Sequence, residues 1–335
     1  MTISFGNCHF PVAGLDMKRY RVVFMGTPQF AVPSLKALGA DERYQVVGVF
    51  TQPDRPAGRG KRLTACPVKQ TADAMGLSVF QYQRIRNPEG VAQLRELAPD
   101  VVVTAAFGQI LSQELLDIPV HGTVNVHASL LPGYRGPAPI NWCIIRGEKE
   151  TGVTIMRTDA GIDTGDVIDS ERTDIGEMET AGELSQRLSH IGASLLLRVL
   201  PDYLEGNRVP QPQPIEGASY QPMLDKAMGR IDWAHSADAI AHLVRGLNPW
   251  PCAYTAIPAG RLKIYLARAI PSDSDSVPGT VITSSAREGL RMRCGDGALE
   301  VLEMQAPGGK QMAAKAFLAG KPIEVGRISG KACIE

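Results

Sequence analysis

The stretch Arg21-Val22-Val23-Phe24-Met25-Gly26, followed one helix-length later by Tyr44-Gln45-Val46-Val47-Gly48-Val49-Phe50-Thr51, decides the fold class. Each is a short apolar run rich in β-branched residues, of strand rather than helix length, and each ends in a polar or glycine break. Between them, Pro28 and Pro33 suit the start of a helix that runs through Leu38, with Gly39 as its stop. The alternation then repeats. Helices are expected over 67–76, 88–97 and 112–116, and strands over 77–80, 101–106 and 123–127. A helix over 137–146, strands over 153–158 and 167–174, and a long amphipathic helix over 180–204 follow. Strands alternating with helices predict an α/β fold, a Rossmann-like open parallel sheet with helices on both faces. The continuous valine runs suit strands covered on both sides.

Residues 209–222 (VPQPQPIEGASYQP) have the proline-rich, polar composition of a linker. Beyond them the texture changes. A helix over 236–247 leads to five short strands over 253–257, 262–269, 279–283, 289–294 and 299–304, with Ala259-Gly260 and Asp296-Gly297 as turns. That pattern predicts a small OB-like β-barrel domain. The expected organisation is an N-terminal extension (1–19), an α/β domain (20–206), a linker (207–222) and an OB-like domain (223–335). Met17 stands just ahead of the first strand, so residues 1–16 read as an upstream extension or an alternative start. They lack the apolar core of a secretory signal.

Composition is 44% hydrophobic and 21% charged, a globular balance that excludes collagen-like and disordered chains. No apolar run approaches the roughly 20 residues a membrane span needs, so no membrane partner is expected. The 35 basic and 35 acidic residues cancel, but unevenly. Residues 52–69 hold five basic against one acidic group, 70–216 eleven against twenty, and 217–335 fourteen against eleven. Such asymmetry suits a polyanionic partner, or simply a solvated surface. The six cysteines form no C-x-x-C pair and stand at no metal-ligand spacing from a histidine. They read as reduced thiols of a cytoplasmic protein, with no metal.

Gly26-Thr27-Pro28 lacks the G-x-G-x-x-G of a dinucleotide site, and Pro28 removes a backbone donor. More promising is Asn125-Val126-His127. Two residues apart on a strand, Asn125 and His127 share one face, at the carboxyl end where open α/β sheets bind ligands. An amide donor and an imidazole there could stabilise an oxyanion and handle a proton; a satisfied polar pair at a strand end is the plainer alternative. Residues 158–166 (TDAGIDTGD) pack three acids and two glycines into a tight loop. One of its carboxylates could orient a histidine, and an ordinary Asp/Gly turn accounts for it equally. In the loop over 51–62, Arg55, Arg59, Lys61 and Arg62 put four cations within eight residues, suited to phosphate or to plain solvation. Aromatic residues are sparse in the C-terminal part, so any RNA contact there would be to the backbone.

Together these segments resemble the formyltransferase family that uses 10-formyltetrahydrofolate. Asn125, His127 and Asp163 fall where that family has its catalytic Asn, His and Asp. Ser129, Leu130, Leu131 and Pro132 match its folate-site S-L-L-P element, and GVTIMRTDAGIDTGD over 152–166 fits its signature around the Asp. The loop FTQPDRPAGRGK over 50–61, with RIDW at 230–233 and NPWP at 248–251, resembles the branch whose acceptor is the methionine α-amine of initiator methionyl-tRNA. Ala128 stands where a glycine is common, and the C-terminal end fits poorly. The resemblance implies formyl transfer with 10-formyltetrahydrofolate as co-substrate, tRNA contacts from Arg55, Arg59, Lys61 and Arg62, and Phe30 in a methionine pocket. The modest net charge suggests a monomer, and no DNA partner is expected. A formyltransferase for a nucleotide-sugar amine shares the core but matches 52–61 poorly. A glycinamide ribonucleotide formyltransferase would lack residues 217–335. A non-catalytic RNA-binding protein on this scaffold would have no need of the intact Asn125, His127 and Asp163.

Overall fold

The computed structural model describes residues 19–57, 62–257 and 260–329. The expectations for the N-terminal extension, for Arg59 and Lys61, and for the last six residues fall outside them.

The strand–helix alternation is present. The first half of the α/β domain comprises β1 (Tyr20–Gly26), α1 (Val32–Ala40), β2 (Tyr44–Thr51), β3 (Arg55–Ala57), β4 (Arg62–Thr64), α2 (Pro67–Ala74), β5 (Val79–Gln81) and α3 (Pro88–Leu97). It continues with β6 (Val101–Ala105), α4 (Gln113–Leu116), β7 (Thr123–His127), α5 (Pro139–Ile145), β8 (Glu150–Arg157), β9 (Val167–Asp174) and α6 (Ala181–Leu204). The main sheet has the order β5-β2-β1-β6-β7-β8-β9. Its first five strands are parallel, whereas β8 runs antiparallel to β7 and β9 antiparallel to β8. The sheet is therefore mixed at this edge rather than wholly parallel. Only residues 158–166 separate β8 from β9, too few for the crossover a parallel pair requires.

Alternate residues of β1 enter two different cores. Val22 and Phe24 pack with Leu35 and Leu38 of α1 and Leu184, Leu188 and Leu195 of α6. Val23 and Met25 pack with Phe50, with Val91 and Leu94 of α3, and with Leu115 of α4. Both faces are covered, which is why the strand reads as an unbroken apolar run. The long α6 starts at Thr180, whose side chain accepts from the Glu183 N–H while the Glu183 carboxylate returns to Thr180, a capping box spelled by T-x-x-E.

Two local expectations are corrected. Gly39 does not end α1, which continues to Ala40; a Cβ there would sit 2.2 Å from Met75 Cε, so this glycine serves close packing on the end of α2. Residues 52–66 are not a plain loop, because β3 and β4 pair as an antiparallel ribbon with Pro56 opposite Leu63.

The C-terminal part holds α7 (Ala237–Gly246), β10 (Ala253–Ile257), β11 (Gly260–Ile270), β12 (Val281–Ser285), β13 (Gly289–Arg293), β14 (Ala298–Gln305), β15 (Met312–Ala313) and α8 (Ala314–Gly320). Its strands form an antiparallel sheet in the order β10-β11-β14-β13-β12, with β15 added to β14. The five strands appear where the sequence placed them; β15 and α8 were not anticipated. Trp233, Ile240, Val244, Ile264, Leu290 and Leu299 fill a separate core of this part.

The two parts are joined by direct bonds: Asn141 Nδ2 donates to the Gly246 carbonyl at 2.7 Å, and the Gly182 N–H to the Asn248 carbonyl at 3.0 Å. Nor does the proline-rich segment hang free. Gln211 and Val167 exchange both backbone hydrogen bonds, the Arg135 N–H donates to Ser219, and the Gln221 N–H donates to Arg135, each at 2.8 Å. Gln221 is fully buried. Among the described residues, no helix is long and apolar enough to cross a membrane.

Candidate functional site

The carboxyl ends of β1, β2, β6 and β7 meet on one edge of the sheet. There the Thr27 hydroxyl donates to the Phe107 carbonyl at 3.0 Å, and Gln52 Nε2 donates to the Gly108 carbonyl at 2.9 Å. Asn125 and His127 project from β7 at this edge. Thr104 lies opposite Asn125 in the β6–β7 register, and its hydroxyl donates to Asn125 Oδ1 at 2.9 Å. The amide oxygen is thereby engaged, which leaves the amide N–H groups as the donors of that side chain.

His127 is buried. Its Nε2 lies 3.2 Å from the Tyr134 carbonyl and its Nδ1 3.6 Å from Asp163 Oδ1. The first is a hydrogen bond in which the carbonyl accepts. The second is an ion-pair distance, longer than a hydrogen bond. Asp163 reaches the ring from the loop between β8 and β9 and adopts φ 53°, the left-handed region that Asp tolerates better than most residues. Its Oδ2 accepts from the Gly136 N–H at 2.8 Å. The loop is folded from within, because Asp159 Oδ1 accepts from the Gly161 N–H and the Thr164 hydroxyl. At its end Gly165 turns tightly against β8, where a Cβ would lie 1.8 Å from the Arg157 carbonyl oxygen.

Ser129, Leu130, Leu131 and Pro132 form the turn that follows β7. The Ser129 hydroxyl donates to the Gly133 carbonyl at 2.7 Å, the Thr154 hydroxyl donates to the Ser129 carbonyl at 2.7 Å, and the Leu131 N–H donates to Thr154 Oγ1 at 3.1 Å. The Leu131–Pro132 peptide is cis. This turn carries the chain back so that the Tyr134 carbonyl faces His127 and the Gly136 N–H faces Asp163. The structure thus brings Asn125, His127 and Asp163 together and sets Ser129–Pro132 beside them.

The basic ribbon leaves the same sheet edge after β2. Arg55 and Arg62 are exposed, and so is Leu63 in the middle of β4, 73% accessible. Its base is tied down: Lys69 Nζ lies 2.9 Å from Asp54 Oδ2, and Gln81 Nε2 donates to Asp54 Oδ1 at 2.9 Å. The Lys69 ammonium first, then the Gln81 amide, hold the Asp54 carboxyl below its ordinary range. Phe30 is buried in the core beneath α1 and also lines a cleft of about 660 Å³ together with Lys36, Asn141, Gln186, His190 and Pro249.

Sequence reasoning missed four contributors. Thr104 is the lone hydroxyl in an apolar strand, and that contrast was the available signal. The Gly136 N–H and the Tyr134 carbonyl are backbone groups, invisible to a reading of side chains. Gln213, in the proline-rich segment, donates from Nε2 to the carbonyls of Asp163 and Gly165 at 2.9 and 2.7 Å. Among the described residues, no group of three or more His, Cys, Asp or Glu is placed to hold a metal ion.

The sequence model of the Formyl transferase family matches residues 19–200, and that of the Formyl transferase C-terminal domain matches 223–322. The chain is 45% identical over 312 residues to the methionyl-tRNA formyltransferase of Acetivibrio thermocellus, covering 93% of this chain and 100% of that one. It is 49% identical over 307 residues to the methionyl-tRNA formyltransferase of Symbiobacterium thermophilum, covering 91% and 94%. An N-formyltransferase from Helicobacter canadensis, solved with folinic acid and dTDP-3-aminofucose, matches the fold with a TM-score of 0.63 at 17% identity, over 88% of this chain and 100% of that one.

Proposed function

Because the chain belongs to the formyl transferase family, with methionyl-tRNA formyltransferases as relatives over nearly its whole length, we propose that its sheet-edge site formylates the methionine carried on tRNA. The enzyme is a formyl group transferase with a folate as donor. In its finer form the reading makes 10-formyltetrahydrofolate the donor and initiator methionyl-tRNA the acceptor, with N-formylmethionyl-tRNA for translation initiation as the product. Residues 20–206 supply the chemistry; the segment 207–222 leads to the antiparallel domain, 223–335.

An α-amine titrates near 7.7–8.0, and the neighbouring ester of a charged tRNA lowers that further. A useful fraction is therefore a free nucleophile at neutral pH. The amine nitrogen attacks the formyl carbon, the carbonyl oxygen takes up the electron pair, and collapse expels the folate nitrogen, which must gain a proton as the amine loses one. Asn125 Nδ2 and His127 meet the developing oxyanion as preorganised donors. The Tyr134 carbonyl beside Nε2 and the Asp163 carboxylate beside Nδ1 fix the orientation of the His127 ring. Asp163 orients that ring and passes protons through water between amine and leaving group. Ser129, Leu130, Leu131 and Pro132 border the folate, Phe30 lines the methionine pocket, and Arg55, Arg59, Lys61 and Arg62 meet tRNA phosphates.

The observation that carries this reading is the convergence of the Asp163 carboxylate, pinned by the Gly136 N–H, on the ring of His127 beside Asn125. The test is transfer of a radiolabelled formyl group from 10-formyltetrahydrofolate to charged initiator tRNA, set against a nucleotide-sugar amine and glycinamide ribonucleotide. Label in methionyl-tRNA is expected. Label in the sugar amine instead would overturn the choice of acceptor.

A further inference from the structure

The segment 207–222 looks like a tether in composition, yet one of its side chains makes four hydrogen bonds within the site. Gln213 Nε2 donates to the Asp163 carbonyl at 2.9 Å and to the Gly165 carbonyl at 2.7 Å. Its Oε1 accepts from Arg135 Nε at 3.1 Å and Nη2 at 2.7 Å. A primary amide has two donors and two acceptor lone pairs, and here all four are used. Two carbonyls on one side and a guanidinium on the other also fix which end of the amide is oxygen.

The placement follows from the backbone. Gln211 and Val167 pair as an antiparallel bridge, and continuing that register by two residues sets Gln213 across from Gly165. On the other side, Arg135 is bonded through its backbone to Ser219 and Gln221. It stands between the two groups that define the site from the β7 side, the Tyr134 carbonyl against His127 and the Gly136 N–H against Asp163. Gln213 therefore braces both halves of the seat in which the Asp163 carboxylate sits: the backbone that carries it and the segment that receives it.

We infer that Gln213 is a positioning residue for formyl transfer, acting through Asp163 by holding the loop 163–165 against the segment 134–136. This rests on the reading of Asp163 as a catalytic carboxylate. Proton-handling geometry tolerates displacements of only a fraction of an ångström, so loosening one side of that seat should lower turnover rather than substrate binding.

The test is a double-mutant cycle on the full chain, with kcat and both KM values measured for wild type, Gln213→Leu, Asp163→Asn and the pair. Gln213→Leu is expected to lower kcat by roughly 10-fold while each KM stays within about 2-fold. In the Asp163→Asn background the same change should cost almost nothing, because the group it positions is already disabled. Equal losses in both backgrounds, or a loss in KM alone, would overturn the inference. Gln213→Glu covers the case in which Leu prevents folding. It keeps the shape and the Arg135 contact but turns a carboxylate oxygen toward two carbonyls, so turnover should still fall; wild-type kcat in that variant rejects the proposal. If Asp163→Asn alone retains wild-type kcat, the reading of Asp163 fails instead, a result distinct from any failure at Gln213.

Discussion

At the end of β7 nearly every polar group is held by another part of the chain, whereas the two described cations of the β3–β4 ribbon, Arg55 and Arg62, have few partners among the described residues. Asn125 is engaged by Thr104, His127 by Tyr134 and Asp163, and Asp163 by Gly136, with Gln213 behind it. Among the described residues, Arg62 is exposed and its side chain meets no bonding partner, and Arg55 makes a long 3.4 Å contact to Gln52. The root of the ribbon is tied where Asp54, Lys69 and Gln81 meet. Bond rearrangement needs donors fixed within a fraction of an ångström. Attraction to a polyanion falls off gently with distance and works through side chains that adapt to it. On the proposed reading, the same sheet edge carries a tightly bonded site for chemistry and a sparsely bonded one for recognition.

If that contrast holds, mutations in the two regions must fail in different ways. The largest effect is expected for His127→Ala, which on the proposed reading removes a donor to the oxyanion and should lower kcat at least ~10²-fold with folding intact. Asp163→Asn should be similarly harmful, and near-normal kcat at saturating substrates in either variant would dissolve the assignment. Thr104→Val keeps the shape of the strand but releases the Asn125 amide. About a 10-fold loss of kcat with unchanged KM is expected, the scale of one neutral hydrogen bond.

The ribbon should show the reverse split. Arg55→Ala combined with Arg62→Ala should raise KM for charged tRNA and flatten the salt dependence of its binding by roughly one unit of slope for each lost phosphate contact, with KM for the folate untouched. A titration that matches wild type at every salt concentration would make the ribbon plain solvated surface.

The smallest effect belongs to the root of the ribbon. The Lys69 ammonium, then the Gln81 amide, holds the Asp54 carboxyl below its ordinary range. A depressed carboxylate contributes stability that is present above its unfolded pKa and is lost as pH falls through the lower, folded one. The anchor should therefore be fully formed at pH 7 and at pH 5. The effect of Asp54→Asn on tRNA KM should be modest and equal at both, and a difference that vanishes by pH 5 would contradict the lowered carboxyl.

What the sequence made legible follows the same divide. The two-faced core was readable because Val22 to Met25 and Val101 to Val103 are apolar without interruption, and the strand pair Asn125/His127 because a period of two assigns both to one face. The antiparallel edge at β8 and β9 was not, since strand direction depends on how connections route rather than on the strands' own residues. Arg55 to Thr64 hid its ribbon behind prolines and glycines that usually mark loops. β15 and α8 were missed because two residues and seven are too short to show a period. The Asp163 seat was half legible: the acids and glycines of 158–166 stood out, but Gly136 and Tyr134 contribute only backbone, and Gln213 lies some fifty residues away.

The woven course of residues 209–222 changes where the molecule can be cut. A chain ending at residue 206 would keep the whole main sheet and all of α6, yet would lose the strand partner of Val167, the brace on Asp163 and the buried side chain of Gln221. The unit that could be grafted onto a different C-terminal domain therefore ends after Pro222, whose carbonyl receives the Trp142 indole N–H. Chimeras joined there inherit a finished site, whereas those joined at the end of α6 inherit one with an open wall.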